Sequence, residues 1–145
     1  MLRLTTLKSP LLLMQILNVV SALFGFYMGC NSAFPDETSY LEMATSLSQN
    51  KFSTWYSLDH YYPETLRMPG YPLFLMVVLM LFKSTLAVKL IQLCLYFFAL
   101  FLAVKILEKI ECKNRIAKYI FLTITALNIQ LPFYAGQISS EMLSI

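Results

Sequence analysis

Two adjacent carboxylates, Asp36 and Glu37, stand just past a long apolar run and directly before an amphipathic pattern in PDETSYLEMATSLSQN. Charge at the edge of hydrocarbon is costly to keep, because partial burial penalises the ionised form. A carboxylate placed there can accept a proton from a nucleophile, and perturbed acids gather at working sites. Asp36 also stands where a helix N-cap stands, and satisfying the first free amides is its plain structural use. Capping leaves Glu37 unexplained.

A second charged group lies in DHYYPETLRMPGYPLFL, where Asp59, His60, Glu64 and Arg67 precede the break Met68-Pro69-Gly70-Tyr71-Pro72. Proline restricts the residue before it and glycine permits turns, so the break fixes Arg67 at the mouth of the apolar segment that follows. A guanidinium there can pair with a phosphate at headgroup depth. The blander uses are snorkelling to lipid or pairing with Glu64, and His60 reads as an ordinary loop histidine. A third acid, Glu141, follows Ser139 and Ser140 in YAGQISSEML, a pattern that also suits the start of a helix.

The elements that must position these groups are membrane helices. Of the 145 residues 58% are hydrophobic, 14% aromatic and only 13% charged, with a mean hydropathy of +0.63. That composition excludes an ordinary soluble domain. The net charge of +3 sits in local clusters rather than on a basic face with interleaved aromatics, so nucleic acid is not an expected partner. Cys30, Cys94 and Cys112 are odd in number and lack C-x-x-C spacing, which supports neither a disulfide framework nor a zinc site. YMGC faintly resembles a lipoprotein processing box ending at Cys30, but Tyr27 and Met28 fit it poorly.

Residues 11–30 form a run of the length that spans about 30 Å of hydrocarbon. Arg3 and Lys8 ahead of it predict a cytoplasmic N-terminus. A second span is predicted over 86–107 and a third over about 119–135. The connection between them, 108–118 with Lys105 just before it, carries Lys109, Lys113, Arg115 and Lys118 against Glu108 and Glu111, which predicts a cytoplasmic location. One net crossing then separates Cys30 from Lys105, and the span at 86–107 supplies it. GYPLFLMVVLMLF, residues 70–82, covers only about 20 Å as a helix, so it is expected to lie at the outer face or re-enter. Four spans, with a tight cytoplasmic turn at Lys83 and Ser84, are the alternative. Residues 31–85 are thus an outer, extracytoplasmic loop, with a surface helix over 36–50 because Tyr40, Leu41, Ala44 and Leu47 recur at helical spacing. Residues 136–145 begin the next loop or helix.

The order of an apolar helix, PDETSYLEMATSL, a loop, LRMPGYPLFL, two more spans and ISSEML resembles the N-terminal part of the GT-C membrane glycosyltransferases. Bacterial relatives of protein O-mannosyltransferases and the lipid A aminoarabinose transferase share this layout. The resemblance implies an all-α, multi-pass transmembrane chain in the cell membrane: the N-terminal portion of a GT-C fold with a long outer loop bearing juxtamembrane helices. It implies transfer of a sugar from a polyprenyl-phosphate carrier to a lipid, glycan or protein acceptor. By the same carry-over Asp36, with its neighbour Glu37, is the catalytic acid pair. Arg67 and, more weakly, Lys83 hold the lipid phosphate, and Glu141 supports the acceptor side. No cofactor is demanded; some relatives use a divalent cation, yet no ligand cluster in the sequence requires one.

Such enzymes carry many more helices than this chain, so a fragment inactive by itself is expected. The competing expectation is a small non-enzymatic multi-pass membrane subunit. A transporter is disfavoured, since the spans lack buried acids and an inverted repeat; Lys89 and Gln92 are the notable polar intrusions in the second span.

Overall fold

The computed structural model describes residues 9–53, 65, 67–109 and 115–140, and these are all-helical apart from their connections. Helix α1 spans Ser9–Cys30, α2 Glu37–Ser48, α3 Gly70–Phe82, α4 Thr85–Lys109, α5 Arg115–Leu127 and α6 Gln130–Ala135. His60, Asp59, Glu64 and Glu141 lie outside the described residues.

Two helices are long and apolar enough to cross a membrane, α1 over Leu12–Cys30 and α4 over Thr85–Leu107. Only 22% and 17% of these windows are buried within the protein, unlike the core helices of a soluble fold. Their polarity is inverted relative to such a fold. On α1 the large apolar side chains Leu12, Leu13, Ile16, Val20, Phe24 and Tyr27 are exposed, while Asn18, Ala22, Gly25 and Gly29 face inward. Small residues at helix contacts let backbones approach when lipid, not water, is the solvent.

That inward seam receives α5 and α6. The Asn18 amide donates to the Leu122 carbonyl at 2.8 Å and accepts from Thr125 Oγ1 at 2.8 Å, and Ser21 Oγ donates to the Ala126 carbonyl at 2.6 Å. One end further, Gln137 Nε2 donates to Ser32 Oγ at 2.7 Å. The sequence offset stays between 104 and 107 residues along these contacts, so α5 and α6 run parallel to α1. The seam closes on glycine: a Cβ at Gly25 would fall 2.8 Å from the Ile129 carbonyl oxygen, and one at Gly29 would collide with the Phe133 carbonyl. Gly136 answers from the other side, where a Cβ would meet the Phe26 carbonyl.

Helix α4 runs the opposite way. Its early residue Lys89 reaches Glu37, beyond the end of α1, and its later residues Leu93 and Tyr96 pack with Ala22 and Ala135. At the end where α1 finishes, α2 and α3 form a second core: Tyr40, Met43 and Ala44 of α2 meet Tyr71, Leu75 and Val78 of α3, with Val88 and Ile138. Helix α3 has the bounds expected from the sequence, and its 13 residues make about 20 Å, short of a full hydrocarbon thickness.

One element departs from expectation. The stretch read as a continuous span over 119–135 is two helices, starting earlier at Arg115 and broken at Asn128 and Ile129. Pro132 accounts for the break, since it has no N–H for the Asn128 carbonyl and its ring would strike that carbonyl in a continuous helix. Asn128 Oδ1 instead accepts from the Leu131 N–H at 3.4 Å, and α6 resumes with Phe133 N–H bonded to the Ile129 carbonyl at 3.1 Å.

Candidate functional site

The chain leaves α1 through a short run that ends in a turn. The Glu37 N–H bonds to the Phe34 carbonyl at 3.1 Å, closing Phe34-Pro35-Asp36-Glu37 with proline at the second position, as a type I turn favours. Asp36 accordingly sits at φ −87, ψ −3, the conformation of the third residue of such a turn. A capping carboxylate typically stands on an extended, non-helical backbone. The expected cap is therefore absent: Asp36 occupies the N-cap position, but its side chain makes no capping hydrogen bond. Only its carbonyl serves the helix, accepting from the Tyr40 N–H at 3.0 Å.

The freed carboxylate turns to Arg67, whose Nη2 donates to Asp36 Oδ1 at 3.2 Å. The pair is open to solvent, with side-chain exposures of 31% for Arg67 and 48% for Asp36. The guanidinium also lies over the Tyr40 ring, 5.7 Å from its centroid. Tyr40 is held in turn at both ends: its hydroxyl is 2.8 Å from Ser140 Oγ, and its ring meets Tyr71 edge-on at 5.0 Å.

Glu37 points elsewhere. It pairs with Lys89 of α4 at 3.8 Å, and this pair is the more enclosed, at 12% exposure for Lys89 and 25% for Glu37. Two neighbouring acids thus reach two cations on different elements. Below them the Gln92 amide donates to the Tyr71 hydroxyl at 3.1 Å. Burial pushes the Tyr71 phenol far above its usual range, more than the Gln92 amide and the Ser139 main chain pull it back. Gln92 Oε1, Gln137 Oε1 and Ser139 Oγ are buried with no hydrogen-bond partner among the described residues.

Of the residues singled out in the sequence, Asp36, Glu37 and Arg67 come together at one end of the bundle. Lys83 does not join them through its helix: it ends α3 in a left-handed conformation, φ 52, one helix length or about 20 Å from the Pro69 end. Its backbone N–H closes the helix on the Leu79 carbonyl at 2.8 Å, and the side chain is exposed. Lys89, Tyr40, Tyr71 and Gln92 complete the cluster without having been assigned to it from the sequence. A signal for two of them existed: Lys89 and Gln92, three apart in an apolar helix, share a face. Among the described residues no three His, Cys, Asp or Glu side chains gather to hold a metal ion, and Asp36 and Glu37 diverge rather than converge as ligands would. Cys30 and Cys94 are free thiols.

No protein-family model, curated protein or solved structure matches this chain. The resemblance to GT-C enzymes therefore rests on the sequence motifs, and chemistry has to be argued from the cluster itself.

Proposed function

We propose that the chain acts as, or as part of, a membrane glycosyltransferase of the GT-C type. It transfers a sugar from a polyprenyl-phosphate carrier to an acceptor hydroxyl or amine on the extracytoplasmic face. The observation that carries this reading is the meeting of Asp36 and Arg67 at 3.2 Å across 31 residues of sequence, at the end of an apolar helix. A base and a phosphate-binding cation within one side-chain length of each other are what the reaction needs at a bilayer surface.

In this reading α1, α4 and the α5–α6 pair cross the membrane up, down and up, with the N-terminus cytoplasmic and 31–85 outside. The parallel course of α1 and α5–α6 supports that layout. Asp36 takes the proton from the acceptor as its nucleophilic atom bonds to the anomeric carbon. The bond from that carbon to the phosphate oxygen breaks, and its electron pair leaves with the phosphate. Arg67 stabilises the charge that gathers there. Attack opposite the departing phosphate inverts the anomeric centre.

The test uses the native protein in its own membranes. A strain lacking the gene is complemented with wild type or Asp36→Asn, and envelope glycans and glycolipids are profiled by mass spectrometry. Asp36→Asn is expected to insert normally and leave the deletion profile unchanged; restoration of the wild-type profile removes Asp36 from the mechanism.

One observation favours a second reading, a small non-enzymatic subunit. Beyond Tyr96, α4 exposes Phe98, Phe101, Leu102 and Ile106, a face suited to further helices. A stoichiometric partner that co-purifies, with no change in envelope glycans on deletion, would favour it.

A further inference from the structure

We infer that the Asp36–Arg67 pair is a resting latch that the donor phosphate opens, so that donor binding must precede activation of the acceptor. The inference rests on the function proposed above and assigns an order of events to the same two residues.

While Asp36 holds Arg67, the carboxylate that should receive a proton is committed to the guanidinium that should receive a phosphate. Both tasks compete for one contact of 3.2 Å. The pair is weak enough to exchange, because an ion pair this exposed is screened by water. A phosphate offers the same guanidinium two oxygens in a matching fork.

Arg67 does not depend on Asp36 for its position. It rests on the Tyr40 ring at 5.7 Å, and Tyr40 is fixed by Ser140 at 2.8 Å and by Tyr71. The guanidinium can therefore change partner without collapsing, and Asp36 is set free beside the bound donor. The neighbouring pair behaves differently: Glu37 and Lys89 are largely enclosed and stay tied as a strut. After transfer Asp36 holds the acceptor's proton and the lipid phosphate carries one more negative charge than the donor diester did; once Asp36 gives that proton to water or to the phosphate, its carboxylate competes again for Arg67 and the product leaves.

The experiment measures binding of farnesyl phosphate, a short-chain form of the leaving group, to the purified protein in neutral detergent, with farnesol as control. Asp36→Asn is expected to bind it about three- to fivefold more tightly than wild type, because the internal competitor is gone. Arg67→Gln is expected to lose the binding. Glu42→Gln, at an exposed acid of α2, controls for charge alone and is expected to shift binding less than about twofold. Equal or weaker binding by Asp36→Asn overturns the latch, as does an equal gain in Glu42→Gln. The proposed function survives either result if wild type still prefers the phosphate over farnesol. If no variant distinguishes farnesyl phosphate from farnesol, the phosphate site and the latch fall together.

Discussion

Glu37 and Lys89 meet at 3.8 Å between α2 and α4, while Asp36, one residue earlier, faces the opposite way to Arg67. Adjacent acids of the same chemistry are thereby divided into a structural tie and a solvent-facing pair. The enclosed tie is the one whose loss should be felt in stability.

Removing Glu37 leaves Lys89 at 12% exposure facing a missing partner. Glu37→Gln is expected to destabilise the protein by about 1–2 kcal/mol, below the cost of breaking a fully buried pair because water still reaches this one. Glu37→Gln with Lys89→Met should recover part of that loss, since neither charge is then stranded. Thermal unfolding in detergent, run as a double-mutant cycle, measures the coupling; additive losses would show that the pair does not act as a unit.

The seam between α1 and α6 has no room for side chains at its glycines. Gly29→Ala must displace the Phe133 carbonyl, which is backbone, and is expected to cost about 1–3 kcal/mol as overpacking. Gly70→Ala meets nothing within 4 Å and should leave the unfolding midpoint nearly unchanged. A Gly29→Ala protein as stable as wild type would mean the helices do not approach this closely.

Tyr71 should set the alkaline limit of the α2–α3 core. Its folded pKa is raised by burial, so the neutral phenol's contribution is fully present below the unfolded value of about 10 and is lost as pH rises beyond it. Unfolding midpoints from pH 8 to 11 are expected to fall more steeply above pH 10 for wild type than for Tyr71→Phe. Parallel profiles would place Tyr71 in solvent.

The proposed up, down, up course makes a prediction about sides. In a cysteine-free background, a cysteine at Asn50, which is exposed, should react with a membrane-impermeant maleimide added to intact cells. One at Asn114 should react only after the membrane is opened. Labelling of position 114 from outside would support four spans.

How much of this was legible depends on the kind of signal. Helix α3 could be bounded at 70 and 82 because Pro69-Gly70 opens it and polar Lys83-Ser84 closes its apolar run. The break near Asn128 was equally written, in Pro132, but a hydropathy pattern averages over one proline in an apolar stretch. Asp36 misled for a subtler reason: its position fits a cap, yet Pro35 commits the backbone to a turn and turns the carboxylate outward. Lys89 looked like an intrusion because its partner, Glu37, is 52 positions away, and pattern reading sees only neighbours. The cation at Arg67 was found because the prolines beside it are local.

The near-constant offset between α1 and α5 has a consequence for how the chain is made. Asn18 waits for a carbonyl 104 residues downstream, and at ribosomal speeds of about 5–20 residues per second that is a delay of roughly 5–20 s. In a bilayer no water can serve its amide meanwhile. The Met14 carbonyl, one turn back on the same helix at 3.0 Å, supplies a bond that α1 can make alone. The nascent helix thus carries one partner of its own, kept in the folded protein, for a group whose second partner has not yet been synthesised.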